Sequence, residues 1–262
     1  MFRPPTPIVK NLLIINIGIY LAGSVLSFSL NDQFGLYFIL SDKFEPYQFV
    51  TYMFLHGDLR HVFGNMLILF FIGPMLEGTL GQKKFLTLYM VTGLGGGLLF
   101  TAANYIEIGG LKRDMEAYVV NPSPEGFNEF IDDHGGGLPS SVFMFINEYA
   151  ENPSDPRNIG QSVSYARQIY GLYSQTSVVG ASGAMFGIMA MLMILFPNTE
   201  ILLFFTFPIK IKYLVGGLII YEVWSQFQRA PGDNVSHLAH LGGALFAWIL
   251  YKYWKQDRNS FY

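Results

Sequence analysis

The sequence predicts an all-α polytopic membrane protein: six apolar spans in one bundle, with a long insertion between the third and fourth. Three observations carry this. Of 262 residues, 51% are hydrophobic and only 13% charged, against about 25% charged in an ordinary soluble domain. The apolar residues gather into runs near the length of about 20 that a helix needs to cross a bilayer. Residues 107–178 then break the pattern with polar, proline-containing sequence.

The runs lie near 11–30, 62–80, 85–106, 182–197, 211–227 and 237–254. The first follows Arg3 and Lys10 and has the outline of a signal peptide. Its apolar core is long for one and no A-x-A site follows, so it reads as a retained span. The fourth is short, ending at Pro197, and so can begin below the membrane surface under a water-accessible hollow. Residues 200–208 (Glu200 to Pro208) are apolar but too short to span, and are expected at the interface. Six spans put both ends on one side. Arg3, Lys10, Lys83, Lys84, Lys210, Lys212, Lys252, Lys255 and Arg258 then share a side, against Lys43, Arg60 and Arg229 in the opposite short loops. Basic residues favour cytoplasmic loops, so both ends are expected inside and the insertion outside.

The chain therefore reads as one membrane domain, 1–262, with its core about 11–106 and 179–254. The insertion holds Glu125, Glu129, Asp132 and Asp133, then Gly135-Gly136-Gly137, an amphipathic stretch Ser141–Tyr149, and Asn152-Pro153-Ser154-Asp155-Pro156. A connection of this length is either functional or partly disordered. A net charge of −3 gives no sign of a nucleic-acid partner. The absence of cysteine excludes disulfides, thiolate zinc sites and a cysteine nucleophile.

Polar groups within spans are costly and so are functional candidates. Gly180-Ala181-Ser182-Gly183 opens the fourth span. Ser182 suits a nucleophile, but a helix cap equally well, and Gly183-x-x-x-Gly187 can simply let a second helix approach. Ala184 in place of a second glycine separates this motif from the G-x-S-x-G elbow of soluble hydrolases. His237-Leu238-Ala239-His240-Leu241-Gly242-Gly243 opens the sixth span, with His240, Gly243 and Ala247 on one face. His240 suits a base or a structural interhelical hydrogen bond. His56, His61 and Asn65 enter the second span, and His61 and Asn65 share a face at i, i+4. They suit oxyanion donors or a polar helix entrance. Glu77, at the other end of that span, is expected to tie loops together by accepting N–H bonds. In the assigned orientation Ser182, His240, His61 and Asn65 share one depth. Nucleophile, base and two donors are the parts acyl transfer needs.

With these motifs in this order, the sequence resembles the rhomboid intramembrane serine proteases. Gly180-Ala181-Ser182-Gly183 matches the family's G-x-S-G, Ala239-His240-Leu241-Gly242-Gly243 its A-H-x-x-G, and His61 to Asn65 its H-x-x-x-N. The resemblance implies a helical bundle with a Ser182–His240 dyad and no acidic third member. It further implies an oxyanion hole from His61, Asn65 and the Ser182 N–H, and Phe186 packed on the imidazole. His56 then stands near the site without a chemical role. Tyr47-Gln48 stand where many relatives carry a Trp-Arg pair, which puts the first outer loop's usual anchoring, not the dyad, in question. The implied reaction is peptide-bond hydrolysis in or beside transmembrane segments of substrate proteins, in a bacterial inner membrane, without cofactor or metal. A zinc site built from His56, His61, His237 and His240 is the enzymatic rival. It lacks an H-E-x-x-H pattern, and no carboxylate sits beside the pairs. A non-cleaving rhomboid-like escort is expected to lack a member of the dyad. A transporter is expected to carry charged groups mid-span, and none is read there.

Overall fold

A computed structural model describes residues 4–136, 138–203, 206–228 and 236–256. Arg3, Arg229 and Arg258 of the orientation count, and Gly137, lie outside the described residues. Helix α1, Pro7–Val25, opens on a proline, whose fixed φ and missing N–H suit a first turn. That turn is tied down by Glu77, which accepts from Thr6 Oγ1 and from the N–H groups of Ile8 (3.1 Å) and Val9 (3.0 Å). Glu77 is thus the loop tie expected of it. Two short helices, α2 (Leu30–Phe34) and α3 (Gln48–Thr51), lie in the loop that follows.

Helix α4, Leu59–Val120, contains two of the expected spans. Gly81 interrupts it at φ +77°, a conformation that favours glycine. His61, before the break, and Gly96, after it, both lie against the residues around Ser182. At 1.5 Å per residue that is possible only if the chain turns back at Gly81. Beyond the second limb α4 continues as far as Val120, where α5 (Pro124–His134), α6 (Ser140–Glu151) and α7 (Pro156–Ser174) join it. Phe127, Phe130, Ile131, Val142, Phe145, Tyr149, Ala166 and Ile169 bury against Leu111 and Tyr118 in a core of their own. The insertion is therefore folded into helices, of which the Ser141–Tyr149 stretch is one. Ser123 and Asp155 cap two others, each followed by proline.

Helix α8, Ser182–Leu195, is buried at every residue from Gly183 to Leu192. A two-stranded antiparallel hairpin follows, β1 (Glu200–Leu203) with β2 (Phe207–Lys210). This is the one β-sheet among the described residues of a mostly helical fold: Glu200–Leu203 pairs its backbone with Phe207–Lys210. Helices α9 (Ile211–Gln228) and α10 (His237–Gln256) complete the chain. By length and apolar content α1 and α4 each suffice to cross a membrane, and α8 is apolar but shorter.

Small residues bring α8 to its neighbours. A Cβ built on Gly243 of α10 would stand 1.9 Å from the Gly183 carbonyl oxygen, and one on Gly187 would stand 2.3 Å from Thr92 of α4. Contacts under 3.0 Å are not tolerated, so only glycine fits at these crossings.

Candidate active site

Ser182 is the first residue of α8, and the preceding loop is shaped by Gly180 at φ +139°. Gly180 N–H donates to the Tyr52 carbonyl at 2.9 Å. A Cβ on Gly180 would lie 2.7 Å from His61 Nε2 and 3.5 Å from Ser182 Oγ. Gly180 is thus required by backbone and by space, and its lack of a side chain lets His61 stand over the serine. The Ser182 side chain caps nothing. Its Oγ lies 2.8 Å from His240 Nε2, a contact that spans 58 residues of sequence and joins α8 to α10. The Gly183–Gly243 approach makes it possible. Phe186, one turn along, stacks on the His240 ring at 4.3 Å between centroids and 8° between planes. Both rings are buried.

His61 and Asn65 open α4 on the same face. Asp58 caps that helix, accepting from His61 N–H at 2.9 Å, which fixes where the His61 ring leaves the backbone. Asn65 is buried, and its Nδ2 donates to no group among the described residues. His56, in the loop ahead of α4, packs edge-on against His61 with ring centroids 5.1 Å apart. Burial, then the neighbouring His61, push His56 down to about 4. It is therefore neutral near pH 7. The loop between α1 and α4 is anchored by Gln48. It is buried, accepts from Tyr37 N–H (3.3 Å) and donates to the carbonyls of Lys43 (2.9 Å) and Gln33 (3.4 Å).

One residue escaped the sequence reading. Glu222 of α9 is buried, with Oε2 2.5 Å from His237 Nδ1 and 3.0 Å from His240 Nδ1. The second contact is at ion-pair distance but too bent for a full hydrogen bond. Two expectations are thereby corrected. A charged residue does lie inside the fifth apolar run, and a carboxylate does sit beside a histidine pair. Glu222, His237 and His240 offer ligand atoms within 4.8 Å of one another and are the described residues able to hold a metal ion. The signal available in sequence was the lone acidic residue in that apolar run.

A family model described as the Rhomboid domain matches residues 43–108 and 158–255. The chain belongs to the rhomboid family. As a rhomboid it is an integral membrane protein. The match omits 109–157, most of the helical insertion. RHOMBOID-like protein 12, mitochondrial, of Arabidopsis thaliana is 25% identical over 97% of this rhomboid and 60% of its own length. RHOMBOID-like protein 1 of the same plant is 42% identical over 62 residues, 24% of this chain and 16% of its own. Rhomboid protease GlpG of Yersinia pseudotuberculosis is 28% identical over 40% of this chain and 37% of its own. The chain thus spans less than two thirds of the length of each of these relatives.

Proposed function

We propose that this rhomboid is a serine endopeptidase that cleaves membrane-protein substrates in or beside their transmembrane segments. The observation that carries the reading is the 2.8 Å contact between Ser182 Oγ and His240 Nε2. A serine hydroxyl is a weak nucleophile until a base takes its proton. In this reading His240 removes the proton as Ser182 attacks the scissile carbonyl, then returns one to the leaving amine. Water hydrolyses the resulting acyl-enzyme with the same base. The stacked Phe186 holds the ring in plane. In this reading the Ser182 N–H, Asn65 and His61 donate to the oxyanion as it develops, and one such donor supplies about 3–4 kcal/mol. No step calls for a metal.

The six apolar helical stretches cross the bilayer in this reading, both ends inside and the insertion, the last turns of α4 with α5 to α7, outside. The bounding membrane is the bacterial inner membrane; the plant relative named as mitochondrial makes an organellar membrane the alternative for cell fractionation to decide. Substrate helices must unwind to enter an extended cleft, which favours glycine, alanine or proline near the cut. Cleavage indifferent to replacing them by leucine removes that part of the reading.

The decisive assay incubates detergent-solubilised protein with a generic transmembrane substrate, beside Ser182→Ala and His240→Ala. The wild type cleaves, with or without excess chelator, and both variants do not. Equal cleavage by all three overturns the reading, and no cleavage by the wild type favours a non-cleaving escort.

A further inference from the structure

Glu222 has no assigned role, and its position is costly. A carboxylate inside an apolar span must be paired or else neutralised. Here it meets two imidazoles, each through Nδ1. An ionised carboxylate only accepts hydrogen bonds, so it favours the Nδ1–H form of both rings. In that form His240 Nε2 carries a lone pair toward Ser182 Oγ, 2.8 Å away. The opposite tautomer would present Nε2–H to the serine and could not accept its proton.

We propose that Glu222 is a positioning residue for His240, completing a Ser182–His240–Glu222 relay in which His237 anchors the carboxylate. Its 2.5 Å bond to His237 fixes Oε2, carried by α9, between two histidines at the start of α10. From there Oε2 stabilises the imidazolium that forms as Ser182 loses its proton, without itself taking the proton. The bent His240–Glu222 contact is that of a resting enzyme. Such bonds tighten when substrate is bound. The His237 bond and the His240 contact also stabilise the buried carboxylate. Phe186 and Glu222 divide the work between them, the ring fixing the plane of the imidazole and the carboxylate its tautomer.

The inference rests on the Ser182–His240 reading, and one set of variants separates the two. Initial rates per folded enzyme are measured for wild type, Ser182→Ala, Glu222→Gln, Glu222→Asp and His237→Gln, with thermal unfolding in detergent of each. Glu222→Gln is expected to lower kcat about 100-fold or more with KM within about two-fold. Glu222→Asp, which keeps the charge, should recover at least about ten-fold of that loss. His237→Gln should lie between wild type and Glu222→Gln. A low-field Nδ1–H proton resonance of His240 should be present in the wild type and absent in Glu222→Gln. A purely structural glutamate would instead lower the folded fraction and leave kcat per folded molecule intact. That result, or wild-type kcat in Glu222→Gln beside an inactive Ser182→Ala, overturns this inference alone. Activity in Ser182→Ala overturns the reading beneath it.

Discussion

Helices α8 and α9 are both apolar, yet the fold treats them oppositely. From Gly183 to Leu192 α8 has no exposed side. Helix α9 buries Ile211, Val215, Glu222 and Ser225 among its described residues, while Tyr213, Ile220, Trp224 and Phe227 are more than half exposed. The first helix is gripped by close crossings at Gly183 and Gly187. The second is held at its first turns and, further along, by a carboxylate between two imidazoles. Composition does not separate them; the placement of glycines and of one charge does. In the proposed reaction the nucleophile stands on the gripped helix and the group that orients its base on the loosely held one. The base is therefore oriented only while α9 is docked.

The glycines give the largest way to test that difference. Gly243→Val should abolish folding or leave a protein that unfolds at the lowest temperature, because even a Cβ there overlaps the Gly183 carbonyl. Overpacking a core costs about 1–3 kcal/mol and occasionally more, and here the clash is with backbone, which cannot swing aside. A variant with an unchanged melting temperature would mean that α8 and α10 are not fixed at this crossing. Next comes a cross-link. The chain has no cysteine, so a pair introduced in the first limb of α4 and in α9 reports without background. If α9 moves aside to admit substrate, oxidising the pair should cut cleavage about ten-fold or more and reduction should restore it. Cleavage untouched by the bond would mean that substrate enters elsewhere.

The central contrast was only partly legible in sequence. Apolar runs located the helices, although the run read as 85–106 continues to Val120 and the first lies at 7–25, not 11–30, and His240, Gly243 and Ala247 fall on one face as their spacing requires. Ser182 was found by its small neighbours. Glu222 was missed because its partners lie fifteen and more residues onward, on another helix. No local pattern announces a carboxylate bound across two elements. The hairpin at 200–210 was hidden for a related reason, since an apolar segment that pairs with itself looks the same as one lying on a membrane. In the insertion, amphipathic spacing revealed α6. The start signals of α5 and α7, Ser123-Pro124 and Asp155-Pro156, were present and carried the same information.

Phe186 sharpens the comparison at an intermediate scale. It belongs to α8 but acts on the α10 ring, so Phe186→Leu keeps the apolar packing and removes the stack. An aromatic pair is worth about 0.5–1.5 kcal/mol beyond its burial, so kcat should fall between about two- and ten-fold, with little change in melting temperature. Loss of stability without loss of kcat would make Phe186 a packing residue only.

The smallest effect is expected where the same chemistry meets the other helix. Gly216 and Gly217 lie in α9, and a Cβ on either would meet nothing within 4 Å. Alanine removes the conformational freedom that makes glycine about 1 kcal/mol unfavourable in a helix. Gly216→Ala and Gly217→Ala should therefore leave the melting temperature unchanged or slightly raised, where Gly243→Val destroys it. If α9 bends at this pair to open, a stiffer helix should lower cleavage of a transmembrane substrate more than that of a short unfolded peptide. Equal rates on both would confine these glycines to packing against lipid, and a fall in stability would show that α9 is gripped after all.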